Sequence, residues 1–143
     1  NEDIEGNVLD FGCGYGAIGV ILQNKFTKSI VISSDINSRA VELANINYQK
    51  NGMHNKAIVS DGFTNIKETF DWIMLNPPIR TGKANIYHMF EEAYSHLNDA
   101  GKLVIVIQKK QGAESAIKKL ETLFSKVEII EKNKGYWIIK SVK

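Results

Sequence analysis

Short runs of apolar and β-branched residues alternate along this chain with stretches whose apolar residues recur every three or four positions. Continuous runs are typical of buried strands, and the spaced pattern is typical of helices that pack on one face. The runs predict strands from residue 8, and then at residues 29–34, 57–59, 70–75, 102–108, 127–131 and 136–140. The spaced stretches predict helices at residues 17–22, from 38 to a stop at 51–52, at 86–97 before a turn at 98–101, and at 113–124.

This alternation predicts an α/β fold, in which a mostly parallel sheet carries helices on both faces. Two connections are informative. Residues 61–69 are too few for a full helical crossover, so we expect at most one irregular helical turn there. Residues 133–135 form a tight link, which predicts that the last two of the seven strands are antiparallel at the end of the sheet.

Length and composition fit one soluble domain covering residues 1–143, with 43% hydrophobic and 24% charged residues. The longest apolar run, residues 103–107, is far too short to span a membrane, and no hydrophobic signal region begins the chain. We therefore expect a cytoplasmic location and no membrane partner. Cys13 is the single cysteine, which excludes a disulfide framework. Because the first residue is Asn1 and a strand follows almost at once, we expect that N-terminal residues of a longer protein are missing.

Charge is distributed unevenly along the chain. Residues 101–143 carry ten lysines and four glutamates, a balance of +6, whereas residues 1–100 have a balance of −4. The basic part favours an anionic macromolecular partner, although lysines on a solvated surface would give the same count.

A glycine-rich stretch follows the first predicted strand and contains Gly12, Gly14, Gly16 and Gly19. So many glycines destabilise regular structure and allow a ligand to approach the backbone closely. Their spacing matches a dinucleotide fingerprint, and Asp35 stands about 20 residues further on, where an acid that binds ribose is expected. Asp10 argues against that reading, because a carboxylate before the first glycine repels a diphosphate and suits a cationic ligand. A tight turn without a ligand is the remaining alternative.

Polar residues follow four of the predicted strands: Asp10, Asp35, Asp61 and Asn76. Since ligands of parallel sheets bind beyond the carboxyl ends of the strands, these side chains are expected to converge on one site. Asp61 has an alternative interpretation as a helix cap.

Asn76 is followed by Pro77 and Pro78, and the two prolines hold this segment with little freedom to lose on binding. The Asn76 amide oxygen and the Pro77 carbonyl are two acceptors, which suit the two hydrogens of a planar exocyclic amine. A stiff exit from the strand is the structural alternative.

Four segments together resemble the methyltransferase small domain family of class I S-adenosylmethionine-dependent methyltransferases, which includes small-subunit ribosomal RNA guanine-N2 methyltransferases. The segments are residues 9–16, 35–37, 60–62 and 76–78. The resemblance extends through residue 136 and implies a Rossmann-like fold with S-adenosylmethionine as cofactor.

The resemblance also implies roles for individual residues. Gly12, Gly14 and Gly16 would lie under the methionine part of the cofactor and Asp10 near its ammonium, while Asp35 would accept from the ribose hydroxyls. Ile36 would pack on the adenine, Asp61 beside Gly62 would accept from the adenine amino group, and Asn76 would lie where cofactor and substrate meet.

The implied chemistry is direct transfer of the sulfonium methyl to a nitrogen, with Asn76, Pro77 and Pro78 as the catalytic segment and no metal. Ile79 replaces the aromatic residue usual in this family, so stacking on the target base is weakened or comes from elsewhere. Arg80 and Lys83 are candidate contacts to substrate phosphates, although loop cations are often only solvated.

Three functions follow from this sequence. The first is an N-methyltransferase for a base amino group, guanine N2 of ribosomal RNA, acting on the RNA or on a ribosomal subunit. The second keeps the chemistry and changes the substrate to a protein glutamine or a small amine. The third is a non-catalytic module that binds the cofactor or RNA.

Overall fold

The structure, a computed structural model, describes residues 6–11, 29–52, 56–77 and 81–143. The described strands are β1 (Gly6–Phe11), β2 (Ser29–Asp35), β3 (Lys56–Val59), β4 (Phe70–Leu75), β5 (Leu97–Gln108), β6 (Lys126–Asn133) and β7 (Tyr136–Val142). The described helices are α1 (Ser38–Lys50), α2 (Lys83–Ser95) and α3 (Ala113–Glu121), with one 3₁₀ turn at Lys109–Gln111. The helix predicted at residues 17–22 lies outside the described residues.

All seven strands join one sheet in the order β3-β2-β1-β4-β5-β7-β6. The first five of these are parallel, and β7 is antiparallel to both β5 and β6. The mostly parallel sheet and the antiparallel final pair are therefore confirmed. The chain order reverses at β1, which lies between β2 and β4, and such a reversal opens a crevice beyond the strand ends where ligands bind.

The central strands are apolar because both of their faces are covered. Val8 and Leu9 of β1 and Ile73 of β4 are completely buried, although Val8 and Leu9 point to opposite faces. The largest cluster of buried side chains joins β4 and β5 to α2 and α3 through Phe90, Ile105 and Leu120, among others. This layer fixes β4 and β5 at the centre of the sheet.

Helix α1 begins where its sequence provides a cap. The Asn37 side-chain oxygen accepts hydrogen bonds from the backbone N–H groups of Arg39 at 2.9 Å and Ala40 at 3.2 Å. These bonds satisfy donors that the first turn leaves unpaired. The helix then packs through Val41, Ala44 and Tyr48, a smaller cluster that secures the β2 and β3 side of the sheet.

Two predictions around residues 97–101 are wrong. Helix α2 ends at Ser95, so Leu97 is not part of its stripe, and the predicted turn at residues 98–101 lies inside β5. Leu97 is still buried, but it pairs with Phe70 of β4, and burial alone does not distinguish a helix end from a strand start. The turn-forming residues produce an irregularity instead: Ala100 has a φ of 62°, and the β4–β5 register shifts between Phe70 and Trp72.

The short connection after β3 is confirmed as one turn. The Thr64 N–H donates to the Asp61 carbonyl at 3.2 Å, the Ile66 N–H donates to the Phe63 carbonyl at 3.0 Å, and extended chain leads into β4. The predicted end of the last helix at residue 124 is wrong. Helix α3 ends at Glu121, and Phe124 is buried beyond it. Among the described helices, none is long and apolar enough to cross a membrane.

Candidate active site

The sheet brings four predicted polar positions to one edge. Asp10 and Asp35 lie at the carboxyl ends of β1 and β2, Asp61 follows β3 by two residues, and Asn76 follows β4 directly. The register confirms that these ends are level, because Phe11 pairs with Ser34 on one side and with Leu75 on the other. The predicted convergence therefore rests on strand pairing as well as on sequence spacing.

A cavity of about 350 Å³ opens at this edge, within the range of small-molecule sites. Five residues predicted to bind the cofactor line it, together with six others. The predicted set is Asp35, Ile36, Asp61, Gly62 and Asn76, and the additional residues are Phe11, Ser34, Ser60, Thr81, Asn85 and Met89.

Asp35 is fixed by the chain around it. Its Oδ1 accepts a hydrogen bond from the Asn37 N–H at 3.0 Å, and its backbone carbonyl accepts from the Ser60 N–H at 3.0 Å. These contacts connect the end of β2 both to the start of α1 and to the turn after β3. The carboxylate is thus presented at the cavity with little freedom to reorient.

Ile36 lies next to Asp35 with 67% of its surface exposed, the largest exposure among the exposed large apolar residues of the described chain. An exposed isoleucine between polar neighbours buries little apolar surface when the chain folds, so it contributes little to stability. In this position it offers an apolar surface to a ligand in the cavity.

The turn after β3 is held by hydrogen bonds to backbone groups. The Thr64 hydroxyl donates to the Asp61 carbonyl at 2.7 Å, and the Ser60 hydroxyl donates to the Gly62 carbonyl at 2.7 Å. Gly62 has a φ of 60°, a conformation that favours glycine. Asp61 is exposed and lines the cavity, and no α-helix begins at this turn in the described chain, so the cap interpretation of Asp61 is wrong.

Asp10 precedes the cavity residue Phe11 but is buried and does not itself line the cavity. It is 2% exposed, and its Oδ2 has no hydrogen-bond partner among the described residues. Burial, and secondly the negative charge of Asp35, raise the pKa of Asp10 to about 6. A buried acid beside a second acid is relieved by a positive charge, so this pair suits a ligand with a cationic group.

Asn76 and Pro77 differ in environment. Asn76 is exposed at the cavity, whereas Pro77 is buried and secures the segment against the protein. Asn85 and Met89 of α2 line the same cavity, together with Thr81 just before the helix. These three residues were not predicted from the sequence. The four-residue spacing of Asn85 and Met89, soon after the proline segment, is the signal that places them on one helix face.

Comparison with known proteins decides the family. The family model described as methyltransferase small domain matches residues 1–140. The chain belongs to this family. It is 50% identical over 144 residues to the uncharacterized protein YbxB of Bacillus subtilis, covering 99% of this chain and 72% of that protein. It is 40% identical over 111 residues to ribosomal RNA small subunit methyltransferase C of Haemophilus ducreyi, covering 74% of this chain.

Membership of the methyltransferase small domain family confirms the predicted enzyme class and its cofactor, S-adenosylmethionine. The chain spans 34% of the Haemophilus ducreyi protein, so it corresponds to about a third of that relative.

Solved structures confirm the Rossmann-like methyltransferase fold. A Thermus thermophilus 16S rRNA N2 G1207 methyltransferase, in complex with AdoMet and guanosine, superposes with a TM-score of 0.83 at 22% identity, covering 96% of this chain and 37% of that one. A Pyrococcus furiosus methyltransferase also gives 0.83, at 24% identity over 97% of this chain and 76% of that one.

Six predicted site residues lie outside the described residues: Gly12, Gly14, Gly16, Pro78, Ile79 and Arg80. Lys83 is the first residue of α2, exposed to solvent and close in sequence to the cavity residues Thr81 and Asn85. Among the described residues, no group of three or more His, Cys, Asp and Glu side chains is arranged to hold a metal ion.

Proposed function

We propose that this domain methylates the exocyclic N2 amine of a guanine in ribosomal RNA. The observation that carries the proposal is the common cavity, in which Asn76 lies with Asp35, Ile36 and Asp61. One cavity can then hold a nucleoside-containing cofactor on the β2–β3 side and a planar amine on the β4 side. A catalytic domain over residues 1–143 and a cytoplasmic location are parts of the same proposal.

The charge and exposure of residues on the β2–β3 side of the cavity suit the cofactor. Asp35 provides a fixed carboxylate for vicinal hydroxyls, Ile36 an apolar surface for a purine, and Asp61 an exposed acceptor for an amino group. Asp10 favours a ligand with a cationic group over a diphosphate, because its buried carboxyl already lies beside the charge of Asp35. When bound, S-adenosylmethionine supplies the methyl group of its sulfonium.

The hydrogen-bond acceptors on the β4 side of the cavity suit a substrate amine. The Asn76 side-chain oxygen and the Pro77 carbonyl are acceptors on a stiff segment, so they can hold two amine hydrogens in fixed directions. Holding both hydrogens turns the nitrogen lone pair away from the base ring and toward the methyl donor. Positioning and preorganised acceptors then provide the rate, as in other reactions where the protein does little covalent chemistry.

Relatives support the choice of an RNA base. The name of the Haemophilus ducreyi protein specifies ribosomal RNA, and the Thermus thermophilus structure contains guanosine. The two acceptors of the described site fit the amide of a protein glutamine as well as a base amine. Methylation of glutamine is therefore one outcome of the test.

The test is methyl transfer from labelled S-adenosylmethionine to deproteinised ribosomal RNA and to ribosomal subunits, followed by mass spectrometry of the nucleosides. The expected product is N2-methylguanosine. Label in protein glutamine contradicts the RNA assignment and supports the second function. If the protein binds S-adenosylmethionine but transfers no methyl group to RNA or to protein, the enzyme assignment is contradicted and the third function, a non-catalytic binding module, is supported.

A further inference from the structure

A basic surface lies outside the cavity, on the other half of the same sheet edge. It consists of Lys109, Lys110, Lys132 and Lys134, which we call the lysine cluster. All four side chains are exposed. Two follow the end of β5, and two belong to the end of β6 and the turn into β7.

Strand pairing brings these two segments together. The Lys109 N–H donates to the Gly135 carbonyl at 2.9 Å, and the Gln108 side-chain amide donates to the Tyr136 hydroxyl at 2.7 Å. These bonds attach the β6–β7 turn to the end of β5. The two pairs of lysines, more than twenty residues apart in sequence, are thus held on one surface.

Packing on an aromatic ring orders part of the cluster. Lys132 Nζ lies 4.4 Å and Lys109 Nζ 5.9 Å from the centre of the Trp137 ring, which is 8% exposed. The ring face attracts the two ammonium groups, and both side chains remain exposed at the surface. Lys109 also lies 4.0 Å from Glu114, but both side chains are more than half exposed, so this pair is weak.

The cluster lies on the substrate side of the molecule. Leu75 at the end of β4 pairs with Ile105, and Gln108 at the end of β5 pairs with Tyr136. Because β5 is parallel to β4, its end points to the same edge as Asn76. Adjacent strands are about 4.8 Å apart, and Lys109 follows the residue level with Asn76 by three residues, about 10 Å along β5, so the cluster begins about 11 Å from Asn76.

We infer that the lysine cluster binds the phosphates of RNA nucleotides flanking the target base. The inference rests on the proposed function for its choice of polyanion, and it adds a substrate-binding surface that the cavity does not include. A cavity of about 350 Å³ accommodates small ligands, so recognition of a long RNA requires contacts beside it. Ammonium groups on an exposed edge provide such contacts without reading the base sequence.

The decisive variant is K109A/K110A/K132A/K134A, compared with K50A/K56A/K67A/K126A. The control removes the same charge from exposed lysines at the opposite edge, where α1 ends and β3, β4 and β6 begin. Binding is measured by anisotropy of a fluorescein-labelled single-stranded RNA of mixed sequence, across about 0.05–0.3 M salt. Circular dichroism establishes that both variants fold.

We expect the cluster variant to bind RNA about 10- to 100-fold more weakly and to lose most of the salt slope, since each phosphate contact to single strands contributes about −0.7 and four contribute about −2.8. The parent slope is expected at about −2 to −4, and the control should remain within about threefold of the parent in affinity. Replacing all four lysines by arginine should retain binding, because the charge is kept. S-adenosylmethionine affinity should not change in any variant.

The RNA-binding and methyl-transfer measurements together distinguish failure of the inference from failure of the proposed function. If the parent methylates RNA but the cluster variant binds it with the parental affinity and slope, the inference is wrong and the proposed function stands. If the cluster variant loses RNA binding as expected but the parent transfers no methyl group to RNA, the inference is supported and the proposed function is wrong. If the parent binds no RNA, both are wrong.

Discussion

The sheet edge at which the parallel strands end has two halves of opposite electrostatic character. At the ends of β1, β2 and β3 the prominent groups are carboxylates, of which Asp10 is buried, whereas the ends of β5 and β6 carry exposed lysines. Asn76 lies between the two halves at the end of β4. One continuous sheet therefore presents an acidic half, a neutral hydrogen-bonding segment and a basic half in spatial order.

The difference between the halves extends to burial. The acidic half borders the cavity and keeps one carboxyl out of water, as expected for the small cationic ligand proposed above. The lysine cluster is open to solvent, which suits a long and flexible polyanion but gives little selectivity. The comparison predicts that variants in the two halves and in the segment between them affect different steps.

The largest effect is expected between the halves. Asn76→Ala removes the proposed amine acceptor, so methyl transfer should fall at least about 100-fold, while cofactor affinity stays within a few-fold. The measurements are single-turnover transfer at saturating RNA and calorimetry with S-adenosylmethionine. Asn51→Ala, at an exposed position directly after α1 and away from the cavity, is the matched control. Near-parental turnover of the Asn76 variant would falsify the acceptor role.

The next effect concerns the acidic half alone. Asp35→Ala removes a charged acceptor worth about 1.5–3 kcal/mol, so S-adenosylmethionine should bind about 10- to 150-fold more weakly. RNA affinity should not change. Asp99→Ala makes the same charge change on an exposed residue in the first part of β5 and should leave cofactor affinity unaltered. Tight binding of NAD to the parent protein would reject the cofactor assignment altogether.

Asp10 predicts a pH dependence of stability. Its pKa is raised from 3.8 to about 6, so the folded state keeps a proton that the unfolded state has lost. The free energy of unfolding should therefore fall as pH rises from about 4 to 6 and remain lower above that range. Asp10→Asn should remove this dependence and stabilise the free protein by up to about 3 kcal/mol at pH 8.

The same substitution should weaken cofactor binding, because the charge that suits the cationic ligand is gone. Urea unfolding at a series of pH values and cofactor calorimetry measure the two effects. Asp61→Asn is the control for stability, since that acid is exposed. If parent and Asp10→Asn proteins show the same pH profile, the buried carboxyl does not carry the effect.

The smallest effect is expected for Lys83, which lies near the junction of the two halves. Lys83→Ala removes at most one phosphate contact, so RNA affinity should fall only a few-fold and the salt slope should change by less than about one unit. The lysine cluster variant is the comparison. A loss at Lys83 as large as that of the whole cluster would move the main RNA contact to the start of α2.

The sequence by itself determined much of this protein. Continuous apolar runs identified the central strands, because a strand covered on both faces has to be apolar throughout. Polar residues directly after those runs identified Asp10, Asp35, Asp61 and Asn76, since the ends of parallel strands share one edge. The motif resemblance supplied the family, which the family comparison confirmed.

Tertiary structure decided what depends on pairing between distant segments. Leu97 would be buried at the end of a helix or at the start of a strand, and only its pairing with Phe70 shows that it belongs to a strand. Thr81, Asn85 and Met89 join the cavity because α2 packs back against the sheet. The net charge of residues 101–143 was visible in the sequence, but four of their lysines form one surface only because β7 pairs with both β5 and β6. Local patterns specify which face of an element is buried, whereas strand order and register determine which elements become neighbours.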